Sequence, residues 1–129
     1  MILKYKDTFF DYEFKNSNNT TGLSDGDFWI TVDLTIKNDE IDTKYVRDAI
    51  SYFELKELVR KLENFIYNGG SCEKIVLIKH FDEFELLKGK QMIQKFYFYD
   101  DVFKYYTLYY TEDEIKWFIE KNKKFLEEQ

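Results

Sequence analysis

Between Phe28 and Lys37 the chain alternates without a break: Phe28, Ile30, Val32, Leu34 and Ile36 in one phase, Trp29, Thr31, Asp33, Thr35 and Lys37 in the other. Successive side chains of a strand point to opposite faces, so this pattern predicts a strand with one face on a core. It also fixes register, because a slip of one residue would turn five apolar side chains out to water. The second face carries a tryptophan and an aspartate, and its purpose is the functional question.

The same period recurs on both sides. Residues 2–15 read as a bulged strand or a hairpin turning near Lys6-Asp7, with Phe10, Tyr12 and Phe14 alternating against Asp11, Glu13 and Lys15. Residues 16–26, NSNNTTGLSDG, have loop composition. A short mixed strand over 43–50 leads to a helix. Ser51 and Glu54 have capping-box spacing, Leu55, Leu58, Val59, Leu62, Phe65 and Ile66 make one apolar stripe, and Asn68-Gly69-Gly70 stops it. The spacing predicts a helix over 52–67.

A meander follows, with strands in 74–81, 84–90, 91–100 and 102–110. Thr111 and Glu114 open a final helix over 112–128, whose predicted buried stripe is Ile115, Phe118, Ile119 and Leu126. The strand connections are too short for parallel crossovers. The expectation is a single α+β domain over 1–129, strands-helix-strands-helix, with a mostly antiparallel sheet and two helices packed on one face. No internal repeat is visible.

The composition is that of a folded chain, 44% hydrophobic and 20% aromatic, with no run approaching the ~18 apolar residues of a membrane span. One cysteine, Cys72, excludes an internal disulfide and a cysteine-rich metal site. MILKYKDTFF lacks the apolar run and small residues of a signal peptide, so the expected location is cytoplasmic. Net charge is −6, from 25 acids and 19 bases. That balance repels phosphate backbones and argues against nucleic acid as a direct partner, whereas a basic protein is electrostatically favoured.

Little in the sequence carries chemistry. His80 is the sole histidine, within a predicted strand, and Cys72 lies in a predicted loop. Neither has the neighbours of a nucleophilic site, and no catalytic residue is assigned. No metal ligands or cofactor are assigned either. Asp11, Glu13 and Lys15, at i, i+2 and i+4 on one strand face, resemble part of a metal-dependent nuclease motif. Alternating charge on a wetted strand is the plainer reading. Gly69-Gly70-Ser71 follows a helix instead of opening one, so it is no phosphate loop.

The aromatic surplus remains. If the helices cover one sheet face, Trp29, Tyr97 and Tyr99 stand on the other, and tyrosine and tryptophan among acids suit a protein partner. A sheet surface half covered by loops would look the same.

The order of residues resembles the WapI-type immunity proteins, small bacterial proteins encoded beside polymorphic, contact-dependent toxins. The similarity runs through Asp27-Phe28-Trp29-Ile30-Thr31-Val32, Ser51-Tyr52-Phe53-Glu54-Leu55-Lys56-Glu57-Leu58 and Glu83-Phe84-Glu85-Leu86. It ends with Tyr105-Tyr106-Thr107-Leu108 and Thr111-Glu112-Asp113-Glu114. The resemblance implies a non-enzymatic protein that neutralises a cognate toxin, often a basic nuclease domain, by direct binding. The resemblance carries no site motif; from the sheet faces themselves, Trp29, Asp33, Tyr97 and Tyr99 are the expected contacts, with Asp11 and Glu13 as flanking charge. The alternatives are a self-associating module, a homodimer closed by the aromatic face, and a nuclease using Asp11, Glu13 and Lys15.

Overall fold

A computed structural model describes residues 2–5, 8–38, 42–76, 82–99 and 103–129. The fold is α+β, and every strand pair among the described residues is antiparallel. The elements are β1 (Ile2–Tyr5), β2 (Thr8–Asn19), β3 (Trp29–Asn38), β4 (Asp42–Ser51), α1 (Tyr52–Tyr67), β5 (Lys74–Val76), β6 (Asp82–Leu87), β7 (Gln91–Tyr99), β8 (Phe103–Tyr110) and α2 (Glu112–Glu127). Two four-stranded sheets form, ordered β1-β2-β3-β4 and β5-β6-β7-β8. Each strand pairs with its neighbour in sequence, as short hairpin connections favour. The chain clusters into two compact units, Met1–Phe53 and Glu54–Gln129, and the division falls in the first turn of α1.

In the first unit, the alternation of β3 becomes burial. Ile30, Val32, Leu34 and Ile36 are all but inaccessible, joined by Phe10 of β2 and Ile50 of β4. Burying a side chain of this size contributes roughly 1.5–3 kcal/mol, so the face strongly fixes the register. Phe28 precedes the strand and is only half-buried; its ring stacks on Tyr52 at 4.6 Å. Residues 16–19, read as loop from composition, continue β2 instead. Asn16 pairs with Ile30 and Asn19 with Trp29 across a bulge, and Asn18 takes a φ of 58°. Pairing to a well-anchored neighbour overrides local polarity there.

In the second unit, the alternate residues Phe84, Leu86, Met92, Gln94, Leu108 and Tyr110 are buried. Helix α2 lies on β7 and β8, with the Phe118 ring against Tyr110 and Phe84 at 5.6 and 5.9 Å. The Thr111 capping box forms as the spacing predicts. Leu126, expected in the buried stripe, is half-exposed, and Asn122 is fully buried in the stripe. Helix α1 stops at Gly69, whose φ of 65° suits glycine, while the Asn68 and Gly70 amides both donate to the Asn64 carbonyl.

The element order repeats, although the sequence shows no repeat: a four-stranded meander followed by a helix, twice. Setting Ser51 on Thr111 brings Glu54 onto Glu114, Leu55 onto Ile115, Leu58 onto Phe118, Val59 onto Ile119 and Leu62 onto Asn122. The buried phases coincide through these positions; side-chain identities do not. Three buried positions that are apolar in the first half, Val32, Ile50 and Leu62, correspond by register and helix phase to Gln94, Tyr110 and Asn122.

Candidate functional site

The outer face of the first sheet carries the residues of the opposite phase. Register places Glu13, Asp33 and Arg47 in one row across β2, β3 and β4. The adjoining rows hold Asp11, Thr35 and Tyr45 on one side and Lys15, Thr31 and Ala49 on the other. The middle of this face is built around Asp33, which is only 7% exposed although it points away from the core.

The Arg47 Nε donates to Asp33 Oδ1 at 2.7 Å and its Nη2 to Oδ2 at 3.3 Å, while the Tyr45 hydroxyl donates to Oδ1 at 2.7 Å. Lys15 Nζ lies 3.4 Å from Asp33 Oδ2 and 3.5 Å from Glu13 Oε2. These side chains lean over the carboxylate and account for its low exposure. Hydrogen bonds from Arg47, then Tyr45, hold the Asp33 pKa down to about 2 against burial, which acts the other way. The same bonds to Asp33 raise the pKa of Arg47 and Tyr45. Lys15 is raised chiefly by its bond to Asp33 and then by Glu13, so its ammonium is more firmly protonated and less suited to accept a proton.

The structure brings Asp11, Glu13 and Asp33 together on this face, with Trp29 at the far end of β3. It does not put Tyr97 and Tyr99 in the same sheet. They are paired on β7 with Tyr105 and Phe103 of the second sheet, and their side chains lie outside the described set. Trp29 is half-buried, and its indole Nε1 donates to the Thr21 carbonyl at 2.9 Å, pinning the loop before β3. The face is charge-mixed instead of acidic, since Lys15, Lys37 and Arg47 stand among Asp11, Glu13 and Asp33. His80 lies outside the described residues, and Cys72 is exposed.

Two prominent residues escaped the sequence reading. Tyr45 is 55% exposed and the Arg47 side chain 63%, and both are fixed on Asp33. Their signal was the alternation of TKYVRDAI, which puts Tyr45, Arg47 and Ala49 in the phase opposite Ile50. Among the described residues no group of three or more His, Cys, Asp or Glu could hold a metal ion. No helix among them is long and apolar enough to cross a membrane. No family model, curated protein or solved structure matches the chain.

Proposed function

We propose that this protein is a non-enzymatic binding protein that neutralises a bacterial toxin by direct contact through the outer face of the first sheet. The observation that carries the reading is the pair Tyr45 and Arg47, exposed yet locked in place by a nearly buried carboxylate. Tyrosine and arginine dominate protein-binding hot spots. Ordering a long side chain on association costs roughly 0.5–1.5 kcal/mol, and a pair already ordered avoids much of that. Asp33 then acts as the support of the contact residues and not as a contact. The resemblance to WapI-type immunity proteins supplies the class of partner.

The test is calorimetric titration of the protein with the C-terminal toxin domain encoded beside its gene. Tight binding is expected. Tyr45→Ala and Arg47→Ala should each weaken it at least tenfold with the fold intact by circular dichroism. Absence of binding to any neighbouring toxin domain would sink the reading.

A further inference from the structure

The outer face of the first sheet does not share the sign of the chain's net charge. The whole chain carries −6, yet the described residues of this face set Lys4, Lys15, Lys37 and Arg47 against Asp11, Glu13 and Asp33. Accessibility widens the difference. All four bases are exposed, whereas Asp33 is buried and Asp11 half-buried, which leaves Glu13 as the one exposed acid among these residues. Phe9 and Tyr45 are exposed on the same face. Register sets Phe9 between Lys4 and Lys37, one row from Asp11, Thr35 and Tyr45, and Lys4 Nζ stands 5.0 Å from the Phe9 ring centroid.

Arg47 shows what this surface can hold. Asp33 engages its guanidinium from the side, through Nε and Nη2. The other edge, made by Nη1 and the second hydrogen of Nη2, has no acceptor among the described residues. A guanidinium carries five N–H donors in a rigid fork, so a carboxylate on one edge leaves the next edge able to grip a second one bidentately. Because Asp33 already fixes the plane, that second carboxylate meets an ordered pair of donors.

Resting on the reading of this face as a protein-binding surface, we infer that the partner's contact patch is acidic and seats a carboxylate on the free edge of Arg47. Further acids of the partner then lie toward Lys37 and Lys4. The net charge of the chain favours a basic partner, but contact is decided by the charges that meet. A nucleic acid shares the negative charge and fits less well. Its backbone would run on from the patch over a chain that is otherwise acidic, and Asp11 and Glu13 interrupt the cations along β2.

Titrated with an oligoglutamate peptide, the amide NMR spectrum of the whole chain should shift at Lys37, Tyr45 and Arg47, together with the Arg47 Nε–H signal. Oligolysine of the same length should leave these signals in place. Arg47→Gln, which removes the fork, should weaken the peptide about tenfold. Glu13→Gln should tighten it about twofold, and supplies the readout if Arg47→Gln does not fold. No shift at these signals up to millimolar oligoglutamate, an equal shift with oligolysine, or tighter binding of oligothymidine would each overturn the inference. Toxin-domain binding without a response to oligoglutamate overturns it and leaves the toxin reading in place; the converse result overturns the toxin reading alone.

Discussion

The Arg47 guanidinium grips the Asp33 carboxylate at both oxygens, 2.7 Å from Nε to Oδ1 and 3.3 Å from Nη2 to Oδ2, across neighbouring strands. The carboxylate is nearly buried and the cation is not, so the interaction gains from burial on one side and is screened by water on the other.

Its pH dependence follows. The folded pKa of Asp33, about 2, lies below its ordinary 3.8. A depressed carboxylate pKa contributes stability that is fully present above the unfolded value and is lost as pH falls through the folded one. Allowing for solvent screening by exposed partners, the contribution is on the order of 1 kcal/mol. Urea midpoints of wild type and Asp33→Asn should differ above pH 4 and converge as pH approaches 2. A gap independent of pH would contradict this origin.

Asp27 governs the entry to α1. Its Oδ1 accepts from the Phe28 amide at 2.9 Å and from the Phe53 amide in the first turn of the helix at 3.0 Å. Removing a side-chain acceptor of this kind costs roughly 1–2 kcal/mol. Asp27→Ala should lower the denaturant midpoint accordingly, and Asp27→Asn, which keeps an acceptor oxygen, should lose less.

Asn122 is fully buried, and its Nδ2 donates to the Phe118 carbonyl while its Oδ1 finds no donor among the described residues. A buried polar atom left in that state costs about 1–3 kcal/mol. Replacement by the residue at the matching position of α1, Leu62, should be stabilising. Asn122→Leu is expected to raise the melting temperature by a few degrees.

The Tyr110 hydroxyl donates to Gln94 Oε1 at 2.6 Å with both side chains buried. Tyr110→Phe keeps the ring against Phe118 but removes the donor. It should destabilise by about 1–2 kcal/mol in chemical denaturation, whereas the nearly isosteric Tyr109→Phe on the half-exposed outer face should cost less.

What could be read from the chain was local. Helix α1 runs over the predicted 52–67, and the Thr111–Glu114 box appears as spacing required, because caps and stripes are settled within a few residues. Strand β3 was equally plain, since one alternating run decides its faces. What escaped depended on pairing at a distance. Asp27 reaches an amide on the far side of two strands, and Asp33 meets Tyr45 and Arg47 only once β3 and β4 are in register. The split into two sheets was hidden for the same reason: alternation names the faces of a strand but not its neighbour. Asn122 defied the stripe because a polar residue at a buried helical position carries no warning in the pattern.

The passage of one continuous helix from the first unit into the second has a practical meaning for anyone dissecting the molecule. Severing the chain between Phe53 and Glu54 would cut α1 inside its opening turn, stripping the amide that Asp27 accepts from the helix it begins. Two halves made that way would each lack part of a hydrogen-bonded turn. A cut after Gly70 would instead leave α1 whole, together with the Asn68 and Gly70 amides that donate to the Asn64 carbonyl at its end.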